Sequence, residues 1–272
     1  MGSRALLVLS LALFVACSGG SRDKAPEEAA KPSPSEQDAM MPPPAFPPLP
    51  GWLAFTVQER ETRQNPWTPV HPNAKIVVFN PAGWDELNEN TPFTALSAQG
   101  PLRVIYSELS YIPFGCDDNP TQMVAFQGGY DFAEEAIWLL PEGREGGKSL
   151  GVTQGPATED RREWKAGDFT IIAERTGPKQ GNLRIARQGQ DVYNQPFEKQ
   201  IIDGADDSPI DLSADYEVGL PVPIAAFTLA AGMPPVLVLK TSGYEGVGFS
   251  VFTTDGSRGV MVGEQSLYLC AF

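Results

Sequence analysis

Gly147-Lys148-Ser149 has the residue types that end a phosphate-binding loop, and it follows the apolar run 136–140, AIWLL, which has the composition of a strand. In such a loop two glycines let backbone N–H groups cradle a phosphate, and a helix begins at the lysine. The first glycine would have to stand at position 142, which is Glu142, and Gly143 is one residue too close. Leu150 is followed by Gly151 and then by Gly155-Pro156, which leaves no room for the helix. Glu145 would also repel the phosphate. The stretch therefore reads as a mobile, glycine-rich turn of mixed charge after a strand, and no nucleotide is expected.

The acidic segment IIDGADDSPIDLSADYE is the densest set of oxygen ligands, with Asp203, Asp206, Asp207 and Asp211 as candidates for structural calcium. Calcium takes six to eight oxygens and accepts irregular Asp/Gly loops, although the EF-hand spacing is not met. A solvated acidic loop accounts for the same residues, and no other cofactor is expected. Hydrolase chemistry has little to stand on. The single histidine, His71, lies in a proline-bounded turn, and no G-x-S-x-G elbow occurs. Paired carboxylates that meet only in three dimensions leave no sequence trace, so an enzyme is disfavoured without being ruled out. Of the tryptophans, Trp67 and Trp84 lie in Pro/Asn/Gly-rich segments, where an exposed indole could stack on a sugar ring or anchor a protein. Loop packing explains them equally well.

The elements that must position these residues read as strands. Segments rich in β-branched and aromatic residues, such as WLAFTVQER, AKIVVFN, LRVIYSELSYI, DFTIIAER and VGFSVFTT, recur between Gly, Pro, Asn and Asp punctuation. In the first of them Leu53, Phe55 and Val57 share an apolar face while Thr56 points the other way. Trp138, inside its apolar run, is expected to face the core. The 27 glycines and 26 prolines would interrupt most helical windows. The expected fold is mainly β, an antiparallel β-sandwich-like domain over 51–272, with a composition shift near 176–182 that could divide it into two small β units.

The ends place the protein. Residues 1–16 combine Arg4 with an apolar run too short to span a bilayer as a helix, which is the pattern of a cleaved secretory signal. FVAC, ending at Cys17, resembles the lipobox of bacterial lipoproteins, with Phe14 where that family usually carries Leu, Val or Ile. The resemblance covers the first twenty residues and implies a lipid-modified Cys17. With Ser18 next to it, the resemblance also implies the outer membrane, on its periplasmic or surface side, if the organism has one. Residues 17–50 are rich in Pro, Ser, Glu and Ala and read as a disordered tether ending in an extended PPPAFPPLP run.

A net charge of −14 without a concentrated basic stripe excludes nucleic acid as a partner class and disfavours anionic membrane surfaces. In an oxidising compartment Cys116 and Cys270 can form one disulfide, or remain two separately buried thiols. These readings describe a lipid-anchored, exported protein whose non-catalytic β domain binds a protein or polysaccharide, or serves structurally in the envelope. A hydrolase of envelope or extracellular polymers using paired carboxylates is one rival; a subunit of a larger envelope assembly is the other.

Overall fold

The computed structural model describes residues 46, 48–57, 75–78, 87–113, 120–127, 136–199, 208–214, 217–243 and 246–268. Among them every regular element is a strand, and every strand pairing is antiparallel. Strands β1 (Trp52–Val57), β2 (Lys75–Val78), β3 (Pro92–Ser97), β4 (Gly100–Pro113), β5 (Pro120–Gln127) and β6 (Ala136–Pro141) close into a barrel in the order β1-β2-β5-β4-β3-β6. The next strands are β7 (Lys148–Leu150), β8 (Val152–Thr158), β9 (Arg161–Ala166), β10 (Phe169–Arg175), β11 (Gln180–Arg187) and β12 (Gln190–Glu198). The last are β13 (Pro221–Thr228), β14 (Val236–Ser242), β15 (Gly246–Thr254) and β16 (Gly259–Tyr268). Two five-stranded sheets result, β12-β11-β10-β9-β8 and β16-β15-β14-β13-β7.

The barrel is filled by side chains. Ala54, Phe93, Ala95, Val104, Tyr106, Val124, Phe126, Ile137 and Leu139 form its interior cluster. Small Ala54 and Ala95 make room for the Phe93 and Phe126 rings, which meet edge to face at 6.1 Å. Because alternate residues point outward, β6 has two buried faces. Ile137 and Leu139 point inward, while Ala136, Trp138 and Leu140 pack outward onto the β13–β16 sheet. Trp138 thus faces a core, as its position in the run implied. In β1 the alternation was half the story. Leu53 and Phe55 do share a face, but Thr56 on the other face is also buried, because that face lines a closed barrel instead of water.

The β13–β16 sheet is the middle layer. One of its faces presents Ala225, Phe227, Val236, Val238, Phe249 and Val251 to the barrel, and the other presents Ala226, Leu237, Leu239 and Phe252 to the β8–β12 sheet. Burial on both faces explains why VLVL and IAAF are continuous apolar runs without alternation. Aromatic contacts cross the first boundary, Phe55 to Phe249 at 4.0 Å and Trp138 to Phe227 at 5.9 Å. Pro221 and Pro223 are tolerated in β13 because short β7 pairs only with Ala226, Phe227 and Thr228, so the proline half has no neighbour there that needs an N–H.

The outer β8–β12 sheet is amphipathic. Trp164, Ala166, Phe169, Ile171, Ala173, Leu183, Ile185 and Val192 face inward. The solvated side carries charge ladders such as Arg161 with Glu163 and Glu174, and Arg184 with Asp191. Such half-exposed pairs contribute little to stability. Gln188 (φ 51°) and Gly189 (φ 84°) fill the two central positions of the β11–β12 hairpin, the left-handed pair that a type I′ turn demands.

Three expectations are corrected. The shift near 176–182 is no boundary: it is the hairpin joining β10 to β11, whose register runs unbroken from Phe169↔Arg187 to Arg175↔Gly181. The glycine stretch after β6 is more than a turn, because Lys148, Ser149 and Leu150 pair with β13 as β7. Gly147 is seated against Leu140 and Leu96, where a Cβ would collide. The chain then passes from the middle sheet to the outer one at Gly151. Finally, the compact unit is Phe46–Phe272, so the end of the expected tether belongs to the domain. Leu49 packs on the core cluster, and the Pro50 carbonyl accepts a hydrogen bond from Trp138 Nε1 at 2.7 Å.

Candidate functional site

The residues singled out by sequence are only partly visible. Cys17, Trp67, His71, Trp84, Cys116, Asp203, Asp206, Asp207 and Cys270 lie outside the described residues. Of the calcium candidates Asp211 is described, and its Oδ1 accepts from the backbone N–H of Ser213 at 2.9 Å and from its hydroxyl at 2.6 Å. Those hydrogen bonds, the hydroxyl's first, hold the carboxyl below the usual aspartate range. Among the described residues no three His, Cys, Asp or Glu side chains gather as a metal site would require.

What the described part of the acidic segment does is structural. Ile210 and Leu212 plug one end of the sandwich and are fully buried. Cationic side chains hold the backbone around them: Arg175 Nη1 donates to the Ile210 carbonyl at 2.9 Å and Arg162 Nη1 to the Ala214 carbonyl at 2.6 Å. Glu217 pairs with Lys199 at 2.8 Å, both side chains 6% exposed, while its other oxygen accepts the Asp211 N–H at 3.0 Å. Arg162, itself buried, also donates to Gln154 Oε1 and lies 5.4 Å from the Trp164 ring.

A second turn uses the same chemistry as Asp211. Asp255 Oδ1 accepts from the N–H groups of Ser257 and Arg258 and from the Ser257 hydroxyl, all within 2.9 Å. Led by the Arg258 backbone bond, these hold its pKa at about 2. Since the folded value lies below the ordinary one of 3.8, the turn is stabilised by this group above that ordinary value and loses the contribution as pH falls through about 2. The side-chain carboxyl carbon of Asp255, followed by NMR, should therefore titrate near 2, and Asp255→Asn should remove that transition. Titration near 3.8 would refute the capped geometry.

A cleft that combines convergent polar groups with an apolar floor lies where the two sheets part between edge strands β12 and β16. Its volume is about 140 Å3. The outer sheet contributes Tyr193, Gln195 and Phe197 at successive inward positions of β12, with Leu183 directly across from Gln195. In the middle sheet Leu239, Ser250 and Glu264 make one cross-strand row, flanked by Thr241 and Met261. Gly181 opposite Phe197 lets that ring fold onto the sheet, because a Cβ there would overlap it. Tyr193 is fixed edge-on against Phe252 at 5.4 Å.

Among the described residues, the side chains of Gln195, Thr241, Ser250 and Glu264 and the Tyr193 hydroxyl make no hydrogen bond or ion pair. Burial, and then the negative charge of Glu264, raise the Tyr193 phenol above 10.0, so it remains a neutral hydrogen-bonding group at physiological pH. Among the described residues, no lysine or arginine lines the cleft.

None of these cleft residues stood out in the sequence. The trace they leave is the every-second-residue spacing of Tyr193, Gln195 and Phe197 beside Pro196, a residue that marks an edge strand. Compared with known proteins, the chain matches no family model, no curated protein and no solved structure.

Proposed function

We propose that this protein is an exported, lipid-anchored binding module whose β domain meets a protein or polysaccharide partner in the bacterial envelope, without catalysis. The observation that carries the reading is the cleft between β12 and β16: several donors and acceptors converge at an open edge of the sandwich with their hydrogen bonds uncommitted. A buried site of that composition would pay a desolvation penalty, whereas an open one keeps its groups hydrated until a partner replaces the water. Binding is favoured over hydrolysis by the behaviour of the acids. A general acid needs a carboxyl held above its usual range, and turn hydrogen bonds lower both Asp211 and Asp255. Among the described residues the cleft holds a single carboxylate, Glu264, where paired-carboxylate chemistry requires two.

The anchor is the lipobox-like FVAC with Cys17, and the tether before Phe46 would hold the domain off the membrane. Photo-crosslinking tests the binding reading. The full chain, carrying benzoylphenylalanine at Gln195 in the cleft or at Glu163 on the solvated face, is irradiated in envelope preparations. Adducts from position 195 and none from 163 are expected; equal yields at both, or no adduct at either, would overturn it. Incorporation of labelled fatty acid into the wild type and its loss in Cys17→Ala test the anchor.

A further inference from the structure

We infer that the cleft between β12 and β16 takes one lysine or arginine side chain presented by a protein partner. This rests on the binding reading above and narrows it to a chemistry. The volume of about 140 Å3 suits a single long side chain, whereas sites for drug-sized molecules enclose about 300–1,000 Å3.

The composition of the walls selects the kind of side chain. Leu183, Leu239, Met261 and Phe197 give an apolar floor, which a (CH2)3–4 stem can cover while its head stays at the water boundary. At that boundary stand the Glu264 carboxylate, the Gln195 amide oxygen and the hydroxyls of Tyr193 and Ser250, all able to accept hydrogen bonds. Lysine and arginine heads are donors only, and these four groups can accept from them.

Charge points the same way. Glu264 is the one charged side chain among the described residues that line the cleft, and its field adds to burial in raising the Tyr193 phenol. Of the cations nearest in the chain, Lys199 pairs with Glu217, Arg184 with Asp191 on the opposite face of the sheet and Arg258 with Asp255, while Lys240, between Leu239 and Thr241, shares the barrel-side face of β14 with Val238. An anionic or carboxylate-bearing ligand would meet Glu264 at the mouth and is disfavoured, as it is by the net charge of −14. A polysaccharide could use the same acceptors, but it would not depend on the charge of Glu264.

Titration of the isotope-labelled full chain, followed by NMR, separates these cases. The probes are acetyl-Gly-Lys-Gly-amide, its Arg and norleucine counterparts, and maltohexaose. The cationic peptides should move the amide resonances of Tyr193, Gln195, Ser250 and Glu264 while the norleucine peptide does not. Glu264→Gln should weaken them on the order of fivefold, as should raised salt. Equal shifts with norleucine, or unchanged affinity in Glu264→Gln, would overturn the inference. If maltohexaose moves the same resonances equally in wild type and Glu264→Gln, the cleft is a binding site of another chemistry, and the binding reading survives alone. If no probe moves them and position 195 gives no crosslink, both readings fall.

Discussion

Glu217→Gln should destabilise the domain by about 3–5 kcal/mol, because it removes the carboxylate that neutralises the Lys199 ammonium where a charge has almost no water. Both side chains of the pair are 6% exposed and their atoms are 2.8 Å apart. The neutral amide would still accept the Asp211 N–H, so the loss isolates the charge from the hydrogen bond that Glu217 makes to the backbone. What the pair holds is the crossing from the end of β12 to β13, including the buried Ile210 and Leu212. Lys199→Met paired with Glu217→Leu should recover most of the loss, since removing both charges also removes their desolvation cost. Urea unfolding checks this: the midpoint should fall in the single variant and return in the double one, with the slope unchanged. A single-variant loss below about 1 kcal/mol, the size of an exposed pair, would mean that the site is wetter than its burial indicates. Added salt should leave the effect nearly intact, because buried pairs are screened little.

The all-strand architecture was legible because its strongest signals are local. Punctuation by Gly and Pro and enrichment in Val, Ile and Phe pick out β1, β10, β14 and β15 directly. Several of the strands that escaped notice are disguised by exposed or edge positions. In β9, RREWKA, charged residues occupy most positions, and only Trp164 and Ala166 reveal the inward face beside buried Arg162. VTQGPAT and QDVYNQPFE contain residues that break central strands, but β8 and β12 are the two edges of their sheet, where a missing N–H costs nothing. The barrel was hidden for another reason. Alternation shows which residues share a face and says nothing about whether the second face meets water or a closed interior, as Thr56 illustrates. The cleft is harder still to read, since inward polar residues such as Gln195 and Ser250 are indistinguishable in sequence from outward ones. Their meaning comes from the parting of two sheets that lie far apart along the chain.

Trp138→Ala should cost about 3–5 kcal/mol, the range for emptying a large aromatic from a packed core, and it should do so through two separable contributions. The indole is 3% exposed and belongs to the cluster between the barrel and the middle sheet, with its ring 5.9 Å from Phe227. Its Nε1–H donates to the Pro50 carbonyl at 2.7 Å, where the chain enters β1. Gly51 makes that approach possible: at φ 79° it lies so close to the Leu139 carbonyl that any Cβ would overlap it. Trp138→Phe keeps most of the ring and removes the donor, so it should cost about 1 kcal/mol, the net worth of a typical hydrogen bond at a partly buried carbonyl. Against a typical total of about 5–15 kcal/mol, the alanine variant approaches the limit of a folded domain and the phenylalanine variant does not. Limited proteolysis distinguishes the contributions. Cleavage near Leu49 should accelerate in both variants, because each frees the Pro50 carbonyl, while global unfolding should accelerate strongly only in Trp138→Ala. If Trp138→Phe leaves cleavage unchanged, the core contact of Leu49, and not the indole hydrogen bond, is what fastens the start of the domain.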